Sequence, residues 1–304
     1  MPIIFYMIPD YKVLQTSVAS FETIMFCLLF FVIPESPRWL LTHDKFDAAH
    51  DSLSNAARKK GLLSQSQVDS IFESLKENTK RELSLQKSEK KPTILDVMKM
   101  SKLRNLSFIL YFTWFTHSFI YYGSIFNIGN MGGNVFTNFI VFGSSYSLSN
   151  VLLLILINRF GRRPLLIFMT CLETVAFLGL LASSFSESFY YVRVLFSFLA
   201  VIGVSCGFNI IYVYTSETFP TTMRQVSIGT CSVFARIGSG ISPFIKELTL
   251  VTHLSVSMGI FALLALLNAL LVSRIPETKG KQLPDTLLQT VANCQSNKDK
   301  ETPI

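Results

Sequence analysis

"FVIPESPRWLL", Phe31 to Leu41, closes the first apolar run of this chain, and "SRIPETKGKQL", Ser273 to Leu283, closes the last. Both contain Ile-Pro-Glu, then a hydroxyl residue, then a basic residue close behind. Proline stops an apolar helix because it has no N–H to continue the ladder. A glutamate and a basic side chain just past the stop can bind backbone ends or opposite charges at a membrane surface. Two spans that end alike, and leave the membrane on the same side, read as equivalent helices of two parallel repeats.

Composition agrees with spans. Of 304 residues 50% are hydrophobic, 13% aromatic and only 15% charged, too apolar for a soluble domain. A helix needs about 20 mostly apolar residues to cross a bilayer. Seven such runs occur, at 13–33, 106–126, 136–157, 165–185, 191–214, 225–245 and 254–273. No ten-residue alternation suggests a β-barrel, so an all-α membrane bundle of seven transmembrane helices is expected. Six spans follow the first Ile-Pro-Glu ending. The chain therefore divides into residues 1–33, a stub and the last helix of one half; 34–105, a loop; 106–275, a complete six-helix domain; and 276–304, a tail.

Charge sets the orientation. Of 27 Lys and Arg, fourteen lie from Arg38 to Arg104, and the turn "NRFGRRP" and the tail add most of the rest. Only Lys12, Arg193 and Lys246 fall on the opposite side. Basic loops stay cytoplasmic, which puts the amino terminus outside and the carboxyl terminus inside. The +7 net charge thus reports topology, and the expected partners are the bilayer and a small solute rather than nucleic acid. "MPIIFYMIP" has no basic n-region or cleavage site and reads as the tail of a broken helix. Cys27, Cys171, Cys206 and Cys231 lie in spans and Cys294 in the tail, so no structural disulfide is expected. The four histidines lack metal-ligand spacing, and no phosphate loop or nucleophile motif occurs. No metal, cofactor or enzyme activity is expected.

The loop has helical patterns of its own, at Phe46, Ala49, Leu53 and Ala57, at Val68, Ile71, Phe72 and Leu75, and at Ile94, Val97 and Met98. The charged run Glu77 to Lys91 reads as a solvated linker.

"PESPRWLL", "NRFGRRPLL", "YVYTSETFPTTMR" and "PETKGKQLPDTL", in that order, resemble the organic ion transporters of the major facilitator superfamily. "GFNIIYVYTSETFPTTMRQ" is most similar to the carnitine and organic cation branch. That family has twelve spans, so the resemblance implies that the first five are missing here, as in a fragment, a truncated gene product or a short isoform. It also implies transport of a small organic cation, anion or zwitterion such as carnitine by alternating access, with this chain inactive alone. A cytoplasmic latch is implied at Gly161, Arg162 and Arg163, with Glu217, Arg224, Glu35, Arg38 and Glu277 as partners. Asn158 stands where the family often has an acidic residue.

Ionisable groups inside spans cost about 2.5–3.5 kcal/mol on insertion scales, so each is a candidate functional group. Glu22 and Glu173 suit bundle-facing hydrogen-bonded roles. Arg236, flanked by "GTCS" and "IGSG", lies midway along its span; by resemblance this is the eleventh helix, where anion and carnitine transporters tend to carry arginine. A guanidinium there can receive a carboxylate in two parallel hydrogen bonds. The alternative is that Arg236 pairs with Glu173 or Glu22. Tyr121, Tyr122, Asn209 and Tyr212 would complete a zwitterion site by cation–π attraction. Gly129, Gly132 and Gly133 fit an extracellular hairpin.

Two rivals remain. A sugar porter of the same superfamily shares "PESPRW", "GRR" and "PETKG", but "YFTWFTHSFIYYGS" lacks the paired glutamines of its seventh helix. A seven-helix receptor would share the span count, yet it gives no reason for the Ile-Pro-Glu echo.

Overall fold

A computed structural model describes residues 10–33, 35–60, 65–88, 94–220 and 223–280. Among them every regular element is helical. The chain forms two compact units, one holding the first four helices and the other the remaining seven.

In the first unit α1 (Tyr11–Val32) starts at Asp10, whose carboxylate accepts the Lys12 N–H, and none of its described side chains is buried. Glu22 is exposed on it, and α1 has no extensive packing within its own unit. The stretch after Pro34 does more than stop a helix. Ser36 caps α2 (Pro37–Thr42) by accepting the Trp39 N–H at 3.2 Å, and Pro37 occupies the first turn, where its missing N–H costs nothing. α3 (Phe46–Lys60) and α4 (Gln65–Ser88) pack on α2 through Leu40, Leu41, Ala49 and Phe72, and His50 meets Asp69 at 2.9 Å. α4 runs unbroken to Ser88, so most of the expected linker is helix. Its 24 residues contain neither glycine nor proline and are rich in Glu, Lys, Leu and Gln.

The second unit contains α5 (Ile94–Lys99), α6 (Ser101–Asn127), α7 (Val135–Phe160), α8 (Arg162–Ser183), α9 (Tyr190–Thr218), α10 (Arg224–Val251) and α11 (Leu254–Val272). Among the described residues six helices are long and apolar enough to cross a bilayer: α1 over Tyr11–Leu29, and α7 to α11. The remaining expected span, α6, is less apolar because it turns Thr113, Thr116, His117 and Ser118 into the bundle, all of them buried. The most extensive packing is mostly between helices that are not consecutive: α9 lies on α8 and α7, α8 on α11, and α10 on α6. The result is an all-α membrane bundle.

Two apolar clusters form its core. One joins Leu110, Trp114, Leu166, Met169, Ile210 and Val272; the other joins Ile120, Phe177, Val204, Met258 and Phe261. Hydroxyl side chains in the helices donate to carbonyls of the preceding turn, as Thr170 does to Leu166 and Thr215 to Ile211, which removes an unpaired donor from the apolar interior. The same device repairs α10. Pro243 cannot donate to the Ser239 carbonyl, and the Ser242 hydroxyl donates to it instead at 2.8 Å. Between α6 and α7 a 3₁₀ turn (Ile128–Met131) leads into Gly132 and Gly133, both at positive φ, as the glycine-rich hairpin requires.

Candidate functional site

At the α7–α8 turn the sequence places a glycine before two arginines. Gly161 has φ 94° and ψ 174°, a conformation open to glycine alone, and it reverses the chain between antiparallel helices. It also leaves the α8 amino terminus with no side-chain cap. Glu277 supplies the cap from a distant part of the chain. Its carboxylate accepts the Arg162 N–H at 3.2 Å and the Arg163 N–H at 3.1 Å, together with its neighbours Thr278 N–H at 2.8 Å and Lys279 N–H at 2.9 Å. A negative charge at a helix amino terminus is stabilised by the unpaired N–H groups and the helix dipole.

The arginine side chains fasten the other helix ends. Arg162 donates from Nε at 3.0 Å and Nη2 at 2.7 Å to Glu217 Oε1, and Glu217 Oε2 accepts the Thr278 hydroxyl at 2.7 Å. Both partners of this ion pair are about one-fifth exposed. Arg163 Nη2 donates to the Ser273 carbonyl at 2.7 Å, where α11 ends, and Arg224 Nε donates to the Ser216 carbonyl at 2.6 Å, near the end of α9. Cations at helix carboxyl ends complement the dipole. Gly161, Arg162, Arg163, Glu217, Arg224 and Glu277 thus form one network that ties the α7–α8 turn to the ends of α9 and α11. Glu35 and Arg38 belong to the other unit: Glu35 is exposed, with its carbonyl accepting the Ser52 hydroxyl, and the Arg38 side chain lies outside the described residues. Gly161→Ala is expected to destabilise the bundle by about 1–2 kcal/mol, read as a lower unfolding midpoint in detergent, because φ is strained and Cβ would lie 3.0 Å from Glu277 Oε2.

The candidate substrate residues fall in four separate places. Tyr121 and Tyr122 meet edge to face at 5.4 Å, and Tyr121 also faces Phe142 and Tyr146 of α7. Tyr212, 41% exposed, packs on Trp114 at 4.2 Å and on Phe208 at 5.4 Å, while the Trp114 indole N–H donates to the Thr215 hydroxyl. Asn209 donates to the Asn150 side-chain oxygen at 3.0 Å. Arg236 is exposed on α10 and has no hydrogen-bond or ion-pair partner among the described residues. Glu173 is not its partner. That carboxylate is fully buried on α8 and lies 3.4 Å from His117 Nδ1. Sequence reasoning missed this pair and Asn150, although a histidine inside an apolar span was a usable signal.

A bundle of apolar helices long enough to cross a bilayer, with a charged turn at one end, defines a polytopic membrane protein. The chain belongs to the sugar (and other) transporter family of the major facilitator superfamily, whose pattern matches residues 9–286, and is a transport-family protein rather than an enzyme. It is 30% identical over 285 residues to the organic cation transporter protein of Drosophila melanogaster, covering 93% of this chain and 51% of the relative. It is 31% identical to solute carrier family 22 member 3 of Rattus norvegicus, over 94% of this chain and 50% of the relative, and 29% identical to solute carrier family 22 member 2 of Homo sapiens, over 98% and 52%. The chain spans about half the length of the curated relatives it matches. Its fold is similar to that of the proton:xylose symporter XylE bound to 6-bromo-6-deoxy-D-glucose, with TM-score 0.56 and 19% identity over 86% of this chain and 55% of the other.

Proposed function

We propose that this chain supplies the carboxyl-terminal helical half of a transporter for small organic ions, working by alternating access in the plasma membrane with its amino terminus outside and its carboxyl terminus cytoplasmic. The organic cation transporters among its relatives support the substrate class. The observation that carries the finer reading is Arg236, an exposed guanidinium in an apolar helix with no partner among the described residues. Such a group is costly in a membrane unless it faces a polar path, and it matches the carboxylate of an organic anion or of a zwitterion such as carnitine. Tyr121, Tyr122, Tyr212 and Asn209 would line the same path. The arginine and glutamate network at the α7–α8 turn would act as the cytoplasmic latch.

Sites of this superfamily lie between two halves, so the 304 residues alone do not enclose a path. Uptake is expected only when the preceding helices are supplied, for instance by co-expressing the amino-terminal half of a solute carrier family 22 relative. In that pairing Arg236→Asp is expected to lower uptake of radiolabelled carnitine or an organic anion about tenfold, a loss of about 1.4 kcal/mol in binding, and to favour tetraethylammonium. Unchanged uptake would remove Arg236 from the site. Competition by glucose alone would favour a sugar porter, and saturable uptake by the chain in liposomes would show that it needs no other half.

A further inference from the structure

Between the two apolar clusters of the α6–α11 bundle lies a polar layer. His117 of α6 and Glu173 of α8 are both fully buried within it. They are seated in two notches of α9: a Cβ at Gly207 would lie 2.6 Å from the His117 ring, and a Cβ at Gly203 would lie 3.1 Å from Glu173 Cβ. Glycines four residues apart therefore hold an imidazole and a carboxylate side by side. His117 Nδ1 and Glu173 Oε2 are 3.4 Å apart, within ion-pair range but without hydrogen-bond geometry, and all four of their side-chain polar atoms lack a hydrogen-bond partner. Thr116 Oγ1 beside His117, and both polar atoms of the buried Asn268 on α11, are unpartnered too. An imidazole and a carboxylate that are fully buried, with all four polar atoms orphaned, point to occupants of the layer.

We propose that His117 and Glu173 form a proton-binding site inside the six-helix bundle, holding one dissociable proton between imidazole and carboxylate, with water filling the polar layer around them. With that proton the pair is net neutral, as an imidazolium and a carboxylate or as two neutral groups. Losing it to water leaves a buried carboxylate with net charge −1, and gaining a second leaves +1. Burial penalises both charged states, so the one-proton state is favoured until the layer opens to bulk water.

Among the described residues neither side chain pairs with a further charged group, and the buried Arg193 of α9 lies beside Gly132 instead. α11 carries no titratable residue. On α9, Cys206 bonds the Ser149 carbonyl of α7, Tyr212 faces Trp114 and Phe208, and Tyr214 bonds the Pro276 carbonyl. On α10, Arg236 is exposed and Cys231 is packed in the cluster with Tyr111 of α6. Tyr121 of α6 faces α7, and Cys171 of α8 is exposed.

The test uses the purified full chain in phosphatidylcholine nanodiscs. Infrared difference spectra from about pH 4 to 10, a range bracketing ordinary carboxyl and imidazole titration, are expected to show a protonated buried carboxyl band. That band should be lost in Glu173→Gln, and its pH dependence should shift in His117→Gln. A second reading comes from a reporter outside the pair. The chain has two tryptophans, so Trp39→Phe leaves Trp114, one turn from His117, as the sole emitter. Its emission is expected to vary with pH and to lose that variation with His117→Gln. A band that persists in Glu173→Gln, or a pH-independent Trp114 signal, overturns the proposal. So does reproduction of both responses by sodium at fixed pH, which would assign the layer to a metal cation. Neither measurement reads uptake, so failure of the transport reading leaves this one standing.

Discussion

Gly238→Ala is expected to lower the stability of the bundle by about 2–3 kcal/mol, seen as a lower thermal midpoint of the purified chain in detergent. α10 passes so close to α6 at this point that an added Cβ would lie 2.6 Å from the Phe115 carbonyl oxygen and 3.1 Å from the Phe119 amide nitrogen. Backbone atoms cannot swing aside as a side-chain tip does, so the two helices must separate. Their contact is among the most extensive in the bundle and includes the stacking of Tyr111 on Phe234 at 4.4 Å. Gly240, two residues on, supplies the control. Nothing lies within 4 Å of a Cβ there, and alanine is favoured over glycine inside a helix, so Gly240→Ala should be neutral or stabilising by about 0.5–1 kcal/mol. Equal effects of the two substitutions would mean that close packing is not what Gly238 provides. Because Arg236 lies half a turn away, separation of α10 from α6 is also expected to weaken substrate uptake in the two-half pairing, with a larger KM.

The contrast between these glycines shows where the sequence is legible. Apolar run length located the helices of the spans, with ends off by up to six residues, because crossing a bilayer leaves few alternatives. Small residues around Arg236 signalled close approach in general, but which glycine meets a backbone depends on the rotation of α10 against α6, which no local pattern encodes. The network at the α7–α8 turn shows the same division. Its arginines and both its glutamates within the bundle were readable, since charged residues at the ends of apolar helices have helix termini and each other as partners. What could not be read was that Glu277 binds backbone N–H groups of α8 while Glu217 takes the Arg162 side chain. The charged run after Glu77 misled for a different reason: high charge density looks like a linker, yet the helix-forming residues of Gln65–Ser88 continue the helix. Glu173 was recognisable as a costly group. Its partner was hidden because His117 comes from a helix remote in sequence and reaches it across the glycine notches of α9.

Glu277→Ala is expected to cost about 2–3 kcal/mol, the loss of charge-assisted hydrogen bonds from the α8 amino terminus and from the chain's own next two amides. Gly161 has no side chain to take over, so the Arg162 and Arg163 N–H groups would turn to solvent where it can reach them. The echo of Ile-Pro-Glu after α11 thereby acquires a physical role: Pro276 ends the apolar run and offers its carbonyl to the Tyr214 hydroxyl, and Glu277 then turns back onto the neighbouring helix. Glu277→Gln separates charge from hydrogen bonding. It keeps one acceptor oxygen, on which the Arg162, Thr278 and Lys279 amides converge, but it sets an NH₂ against the Arg163 N–H and removes the charge that the dipole favours. It is expected to lose more than half as much stability as Glu277→Ala, with the deficit insensitive to moderate salt because the site is half-buried. Hydrogen exchange at the Arg162 and Arg163 amides should rise in both variants. A variant that loses stability without exposing those two amides would show that Glu277 acts through the arginine side chains and not as the cap of α8.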